Sequence, residues 1–166
     1  MFTMAKIKDG GTYLKRHLTA NDYYSEKETV IGQWVGRGGE HLGLRGEIAA
    51  GDPAFEALRQ NRHPDGSGKL TPRDGEGRVK FFDFQCSAQK SVSIMAVTMG
   101  DTRLLAAHDA AAALAFGELE RFAARQENNV GGRVNRRTSN VVAGAFRHTA
   151  SRALDPHLQC AEAHCT

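Results

Sequence analysis

The chain has 166 residues, of which 40% are hydrophobic and 25% are charged; this is the composition of one globular domain and excludes disorder as the default expectation. No stretch approaches the roughly twenty apolar residues that a membrane span needs, and the start of the chain lacks the apolar core of a secretory signal. Three cysteines without paired spacing favour free thiols in a reducing compartment. We therefore expect a soluble, cytoplasmic protein with no membrane segment.

Basic residues slightly outnumber acidic ones. The 22 Lys and Arg against 19 Asp and Glu give a net charge of +3 and a pI near 8.9, which is compatible with nucleic-acid binding but does not establish it. The position of the charge is more informative. Arg133, Arg136 and Arg137 lie beside two glycines, and Arg147 and Arg152 flank a histidine segment. We expect these arginines to contact a phosphate backbone.

The first half of the chain predicts two strands, a helix and a loop. Residues 2–8 alternate apolar and polar side chains, as in a half-buried strand, and residues 29–35 are rich in β-branched residues and predict a second strand. Asp52 and Pro53 have the N-cap and first-turn pairing of a helix. Residues 61–77 are dense in Gly, Pro, Asp and Arg and predict a surface loop within one domain.

The second half predicts two more strands and a long helix. Residues 79–84 predict a strong strand. Asp101 is expected to cap a helix that runs through Arg125 with a broad apolar face. Residues 138–146 are rich in valine, alternate in polarity and predict a buried strand.

Three tyrosines lie within the first two dozen residues. Tyr23 and Tyr24 are adjacent, and Tyr13 precedes them on a short predicted helical turn. Tyrosine can act as a covalent nucleophile. The alternative is that these rings are amphipathic packing residues with their hydroxyls at the surface.

Asp83 is a carboxylate between aromatic residues on a predicted strand. By alternation its side chain points away from those of Phe82 and Phe84. A carboxylate on an otherwise apolar strand is unfavourable unless it is bonded, so we expect a histidine, a metal or a backbone group as its partner. The alternative is a capping or edge-strand aspartate.

His148 is predicted at the end of the strand that contains residues 138–146. A lone histidine at a strand end is usually structural or exposed. Three histidines that converge from neighbouring strands would instead form a divalent-metal site with open positions for a phosphate.

The motifs, taken in order, resemble one family over nearly the whole chain. They lie at residues 13, 21–24, 32–38, 42–46, 82–93 and 146–156. Each motif alone is weak, but their order and spacing are similar to those of MobF-type conjugative relaxases, the TrwC/TraI-like relaxases.

The resemblance implies a fold and a reaction. The fold is α+β and HUH-type, with a central antiparallel sheet covered by helices and a histidine-bound divalent metal. The reaction is nicking and rejoining of single-stranded DNA at an origin of transfer, through a 5′-phosphotyrosyl intermediate. By position, Tyr13 resembles the first catalytic tyrosine, and Tyr23 with Tyr24 the second pair. Asp83 matches an aspartate that orients a metal-ligand histidine and assists proton removal, and His148 matches the first metal ligand.

The metal-binding end departs from the family pattern. Gln159 and Ala161 stand where that pattern has two further histidines, and neither replaces imidazole at a transition-metal site. His157 and His164 are able to bind a metal, but their spacing differs from that of the family pair. A divalent cofactor, whether Mg, Mn or Zn, is therefore implied by the family but opposed by these residues.

We expect residues 1–166 to be the N-terminal part of a single relaxase domain, because family domains are longer and often precede a helicase. The simplest explanation is a truncated or frameshifted gene, or a fragment, in which residues 159–166 are not homologous sequence. The fold is then incomplete, with an exposed sheet edge, a partial core and marginal stability or self-association.

Three interpretations remain open at the level of sequence. The first is a relaxase that acts on single-stranded DNA at an origin of transfer, together with other conjugation proteins. The second is a non-catalytic, single-stranded DNA-binding remnant of a relaxase. The third is a product that neither binds nor cleaves DNA.

Overall fold

The computed structural model describes residues 1–8, 32–49, 51–71, 75, 79–151 and 155–165. Their main feature is a six-stranded sheet in which every neighbouring pair is antiparallel. In the order β1-β4-β8-β7-β2-β3, the strands are Phe2–Ile7 (β1), Phe81–Ser87 (β4), Pro156–Cys165 (β8), Val142–Ala150 (β7), Gly32–Val35 (β2) and Glu47–Ile48 (β3).

The remaining elements are helices and one separate hairpin. The hairpin pairs strands β5 and β6 outside the main sheet. These elements are α1 (Arg37–His41), α2 (Pro53–Arg59), α3 (Lys90–Ser93) with a π-helical turn at Ile94–Thr98, α4 (Thr102–Phe122), β5 (Ala124–Asn129) and β6 (Gly132–Arg137). The predicted combination of a central antiparallel sheet with helices is confirmed.

One face of the main sheet carries His148, and we call it the His148 face. Helix α2 packs on it through Phe55. Asp52 caps this helix by accepting a hydrogen bond from the Phe55 backbone nitrogen at 2.9 Å, as predicted. Phe55 meets Phe146 with its ring centroid 5.4 Å away. The buried residues of this core are Ile7, Ile48, Phe55, Phe81 and Phe146. This core fixes the sheet on which the site residues lie.

The opposite face is covered by helix α4, and we call it the helix face. Phe116 of α4 packs with Val141 and Ala143 of the sheet. Arg147 extends from β7 on this side and pairs with Asp109 of α4, with 2.6 Å between Nη1 and Oδ2. Since alternate residues of a strand face opposite sides, Arg147 and His148 lie on different faces of β7.

Two predicted boundaries around the hairpin were wrong. The long helix ends at Phe122 rather than Arg125, and the predicted strand at 138–146 begins only at Val142 and continues to Ala150. Thr138 and Ser139 are not in the sheet, because their backbone nitrogens bond the Ala123 carbonyl oxygen at 2.8 and 3.1 Å. The segment before β7 therefore completes the end of α4 instead of extending the strand.

Strand β1 is more exposed than its alternating pattern predicted. Only Ile7 is buried, whereas Phe2 and Met4 are 43% and 55% exposed. β1 lies at the edge of the main sheet and pairs only with β4 among the described strands. An exposed edge of this kind is a site for pairing with another strand.

His108 is a buried histidine of α4 on the helix face. Burial lowers its pKa from the ordinary value of 6.5, while Asp109 opposes the shift and the amino terminus and Arg147 add to it. The backbone carbonyl of Cys86 accepts a hydrogen bond from the ring. Among the described residues, the Nε2 atom has no hydrogen-bond partner. Burial in the fold thus lowers the pKa of this imidazole and favours its neutral form.

We expect His108 to make the protein less stable in mild acid. Between the ordinary pKa and the lower pKa in the fold, the unfolded chain binds more protons, so the free energy of unfolding falls as the pH falls through that window. In thermal melts, the melting temperature should fall less between about pH 7.5 and about pH 5.5 for His108→Gln than for the parent chain. His41→Gln, at an exposed position, is the control. Equal losses in His108→Gln and the parent would contradict the expectation.

Candidate nucleic-acid processing site

His148 lies inside β7, two residues before its end, rather than closing the strand as predicted. Across the β7–β8 pair it stands opposite Gln159, and across β8–β4 Gln159 stands opposite Ser87. Residues directly opposite in antiparallel strands project from the same face. The structure thus brings His148 and Gln159 together on the His148 face, near one end of the sheet.

Asp83 lies on β4, on the same face as His148 but four residues along the strand from Ser87. It is 5% exposed, and its Oδ2 accepts a hydrogen bond from Gln85 Nε2 at 2.8 Å. As alternation predicted, it points away from Phe82 and Phe84, whose rings stack at 6.3 Å. The side-chain amide at Asp83 is a kind of partner that was not among the three expected from the sequence.

Gln85 is the residue that sequence analysis missed. It lies between Asp83 and Ser87 on β4 and opposite Ala161 of β8. The signal was present in the sequence, because residues two apart on a strand share a face. A glutamine two residues after a buried carboxylate is a candidate hydrogen-bond donor to it.

Several predicted site residues lie outside the described residues. They are Tyr13, Tyr23, Tyr24 and Arg152. Their roles stay predictions.

The two substitute metal ligands are on β8. His157 lies where the β7–β8 register shifts between His148 and Ala150. The backbone of His164 pairs with Phe82 and Ala143, and its side chain is outside the described part of the chain. Among the described side chains, no group of three possible metal ligands contains His148 or His157.

The described residues do not fit a three-histidine metal centre. Within the described part of the chain, no group of three His, Cys, Asp or Glu residues is placed to hold a metal ion. On β8, Gln159 stands opposite His148, and Ala161, two residues further along, stands opposite Phe146. Alanine has no ligand atom, and an amide oxygen is a weak donor to metals that prefer imidazole. The residues beside His148 therefore do not supply the further ligands that such a centre requires.

Arg133, Arg136 and Arg137 lie on strand β6. Every residue of β6 is exposed. Arg136 lies 3.3 Å from Glu127 Oε2, and Arg137 lies over the Phe122 ring at 5.4 Å from its centroid. The neighbouring Arg125 is the main cause of a lowered pKa at Glu127. The hairpin is thus a two-stranded ribbon whose β6 arginines are exposed to solvent.

None of the helices in the described part of the chain is both long enough and apolar enough to cross a membrane.

The fold is that of an α+β domain of the HUH-type relaxase class, as predicted. The profile of the TrwC relaxase family matches residues 7–163, which is most of the chain. The chain belongs to the TrwC relaxase family. The resemblance drawn from the order of the motifs is confirmed.

Two curated relatives are conjugation proteins. The multifunctional conjugation protein TraI of Escherichia coli strain K12 is 34% identical over 165 residues, which cover 95% of this chain and 9% of that protein. A second TraI from Escherichia coli is 33% identical over the same length. The chain therefore spans less than a tenth of the length of the curated relatives it matches.

Solved structures of a relaxase have the same fold. The metal-bound structure of the conjugative relaxase TrwC in complex with oriT DNA matches with a TM-score of 0.80 and 30% identity, over 99% of this chain and 56% of that one. TrwC complexed with a 27-mer DNA comprising the recognition hairpin and the cleavage site matches with a TM-score of 0.76 and 29% identity, over 99% and 55%. The predicted fold class is confirmed.

Proposed function

We propose that this chain is the N-terminal part of a single conjugative relaxase domain and acts on single-stranded DNA at an origin of transfer. The observation that supports this most is the placement of His148 and Asp83 on one face of an antiparallel sheet, in a chain of the TrwC relaxase family. The similar TrwC structures are complexes with oriT DNA or with a 27-mer DNA comprising the recognition hairpin and the cleavage site, and they support the choice of substrate. A cytoplasmic location and contact with other conjugation proteins belong to the same proposal.

The proposed reaction is a transesterification. The phenol oxygen of Tyr13 or Tyr23 attacks phosphorus, and the bond from phosphorus to the 3′ oxygen breaks. The 3′ oxygen leaves with the electron pair and takes up a proton, while the phenol proton passes to a base, for which Asp83 is the candidate. The 5′-phosphotyrosyl bond keeps the energy of the broken bond, so the 3′-OH can reverse the step and rejoin the strand.

The divalent metal of the family is not part of this proposed step. A bound Mg, Mn or Zn ion would polarise a phosphate oxygen, but the residues next to His148 do not fit such an ion. The exposed ribbon arginines Arg133, Arg136 and Arg137 are proposed to bind the phosphate backbone of the DNA, with Arg152 as a further candidate.

A second candidate function is favoured by Gln159 and Ala161. A chain without the two further imidazoles can hold single-stranded DNA without cutting it. In that case the basic ribbon binds the strand and the tyrosines take no part. The two functions predict the same salt-sensitive binding and differ only in covalent chemistry.

A covalent-adduct assay tests the proposal. The purified chain is incubated with labelled single-stranded oligonucleotides carrying origin-of-transfer sequences, with Mg²⁺ or Mn²⁺ and in EDTA, and separated under denaturing conditions. A relaxase gives a denaturation-resistant band that is lost in Tyr13→Phe or Tyr23→Phe, and Tyr24→Phe shows whether the neighbouring ring contributes. Salt-sensitive binding with no band in any variant selects the non-catalytic DNA-binding function instead. Binding no stronger than that of an unrelated basic protein contradicts both.

A further inference from the structure

The side chains of Asp83 and Gln85 form an amide–carboxylate pair on the His148 face. Both residues belong to β4 and are two apart, so they project from the same face. Gln85 Nε2 donates to Asp83 Oδ2 over 2.8 Å, and Asp83 is 5% exposed. A hydrogen bond to a buried carboxylate is worth more than one at the surface, because water does not compete for the acceptor. The pair is therefore a fixed part of the site.

Position 161 of β8 is the nearest cross-strand neighbour of Gln85. The two are directly opposite in the β4–β8 register. Ser87 N bonds the Met1 carbonyl on the β1 side, whereas Ala88 N bonds the Leu158 carbonyl on the β8 side. By alternation Gln85 bonds toward β1, so Gln85 and position 161 form a non-hydrogen-bonded pair, in which the Cα atoms lie only about 4.5 Å apart.

Position 161 is also diagonal to Asp83, which pairs with Ala163. Diagonal neighbours lie within reach of a long or aromatic side chain. An imidazole at 161 would therefore have Asp83 as its adjacent carboxylate, the type of partner that orients a metal-bound histidine. Gln85 already donates to that carboxylate.

We propose that Gln85 is a positioning residue that engages the Asp83 carboxylate beside position 161, so that this chain is closed to a metal ligand there by two residues, Ala161 and Gln85, acting together. Alanine at position 161 has no atom that can bind a metal. Gln85 bonds the carboxylate that a histidine at position 161 would use. Asp83 thus contacts Gln85 in this chain, where a histidine at position 161 would otherwise be its partner.

Metal binding tests the proposal directly. The double variant Gln159→His/Ala161→His restores two imidazoles beside His148, and the triple variant adds Gln85→Ala. Titration with Co²⁺ alone, followed by visible absorption and calorimetry, should show binding about tenfold or more tighter in the triple variant than in the double variant, the size expected for an outer-shell carboxylate partner. Equal affinities overturn the proposal.

Two controls separate positioning from packing. Gln33→Ala in the double variant removes another glutamine of the same sheet, which lies opposite Ala145 and Glu47, and should leave Co²⁺ affinity unchanged. Asp83→Asn in the triple variant should remove the gain, because Gln85 acts through that carboxylate. A gain that persists after the Asp83→Asn substitution shows that Gln85 only fills space, and it overturns the positioning role.

The unaltered chain provides a measurement that does not depend on the histidine variants folding. The side-chain amide protons of Gln85, observed by NMR, should shift and exchange faster with water in Asp83→Ala. Unchanged signals overturn the proposal. The proposed role of Gln85 rests on the proposed relaxase site, but Co²⁺ affinity and the amide signals do not depend on DNA cleavage. If no covalent DNA adduct forms but the triple variant still binds Co²⁺ tenfold tighter than the double variant, the transesterification is rejected and the role of Gln85 is kept.

Discussion

Replacing Arg133, Arg136 and Arg137 together with alanine is expected to weaken single-stranded DNA binding by about 100-fold at low salt. All three lie on β6, whose residues are exposed along its whole length. Each cation that neutralises a phosphate releases a condensed counterion, so the salt dependence should change with the affinity. The slope of log affinity against log salt should fall by about 2 for three contacts on a single strand.

The control for this prediction is a variant with the same change in net charge elsewhere. Lys6, Lys80 and Arg103 are exposed cations on β1, before β4 and at the start of α4. Replacing them with alanine should reduce affinity only slightly, measured by fluorescence anisotropy over a range of salt concentrations. If both triple variants weaken binding equally, the effect belongs to net charge and the ribbon is not the DNA surface.

The arginines also show where sequence reasoning succeeds and where it stops. The cluster beside two glycines was identified as a candidate contact to a phosphate backbone, and its residues are exposed. That it forms a hairpin depends on β5 pairing with β6 in register from Ala124 to Arg137. Arg147 was grouped with the DNA contacts because it precedes His148. In the fold it lies on the helix face with Asp109, since neighbouring residues of a strand point in opposite directions.

The boundaries that were wrong depended on contacts distant in sequence. Alanine and leucine favour continuing α4, and nothing local marks Phe122 as its end. The helix ends there because Thr138 and Ser139 return to bond Ala123, and the Ser139 hydroxyl bonds the Arg121 carbonyl at 3.1 Å. Valine-rich alternation likewise predicted a strand, but Ser139 has φ of 48°, which is incompatible with one.

The site itself was only half predictable. Asp83 and His148 were recognised by residue type and by the order of motifs, and both lie on one face. Their relation depends on β8 entering between β4 and β7, so that position 159 meets His148 and position 161 meets Gln85. Strand order of this kind cannot be derived from alternation, because alternation specifies faces but not neighbours.

Gly36→Ala is expected to destabilise the fold by about 3 kcal/mol or more, through strain and steric conflict together. Gly36 has φ of 89° and ψ of 149°, a region open almost only to glycine. A Cβ atom there would lie 2.3 Å from the Val141 carbonyl oxygen. That oxygen also accepts from Gly38 N at 2.8 Å. Relief of the clash must separate α1 from the sheet.

Separating α1 from the sheet would break a junction between α1, α4 and the residue that precedes β7. Glu120 of α4 accepts from Arg37 N at 2.7 Å and from Val141 N at 3.1 Å through the same Oε1 atom. Moving α1 leaves this carboxylate with fewer partners, and Phe116 on the same helix packs against Val141. Gly36→Ala should therefore loosen the packing in the core of the helix face. It should lower the midpoint of the whole unfolding transition rather than fray α1 alone.

Gly43→Ala is the matched control. Gly43 also has a positive φ, 72°, but no described heavy atom lies within 4 Å of a Cβ built there. Its substitution should cost only the backbone preference, about 1 kcal/mol. Chemical denaturation of both variants measures the difference. If the free energy of unfolding falls no more in Gly36→Ala than in Gly43→Ala, α1 can move without disturbing β7. The Glu120 junction then does not hold the sheet in register beneath the site.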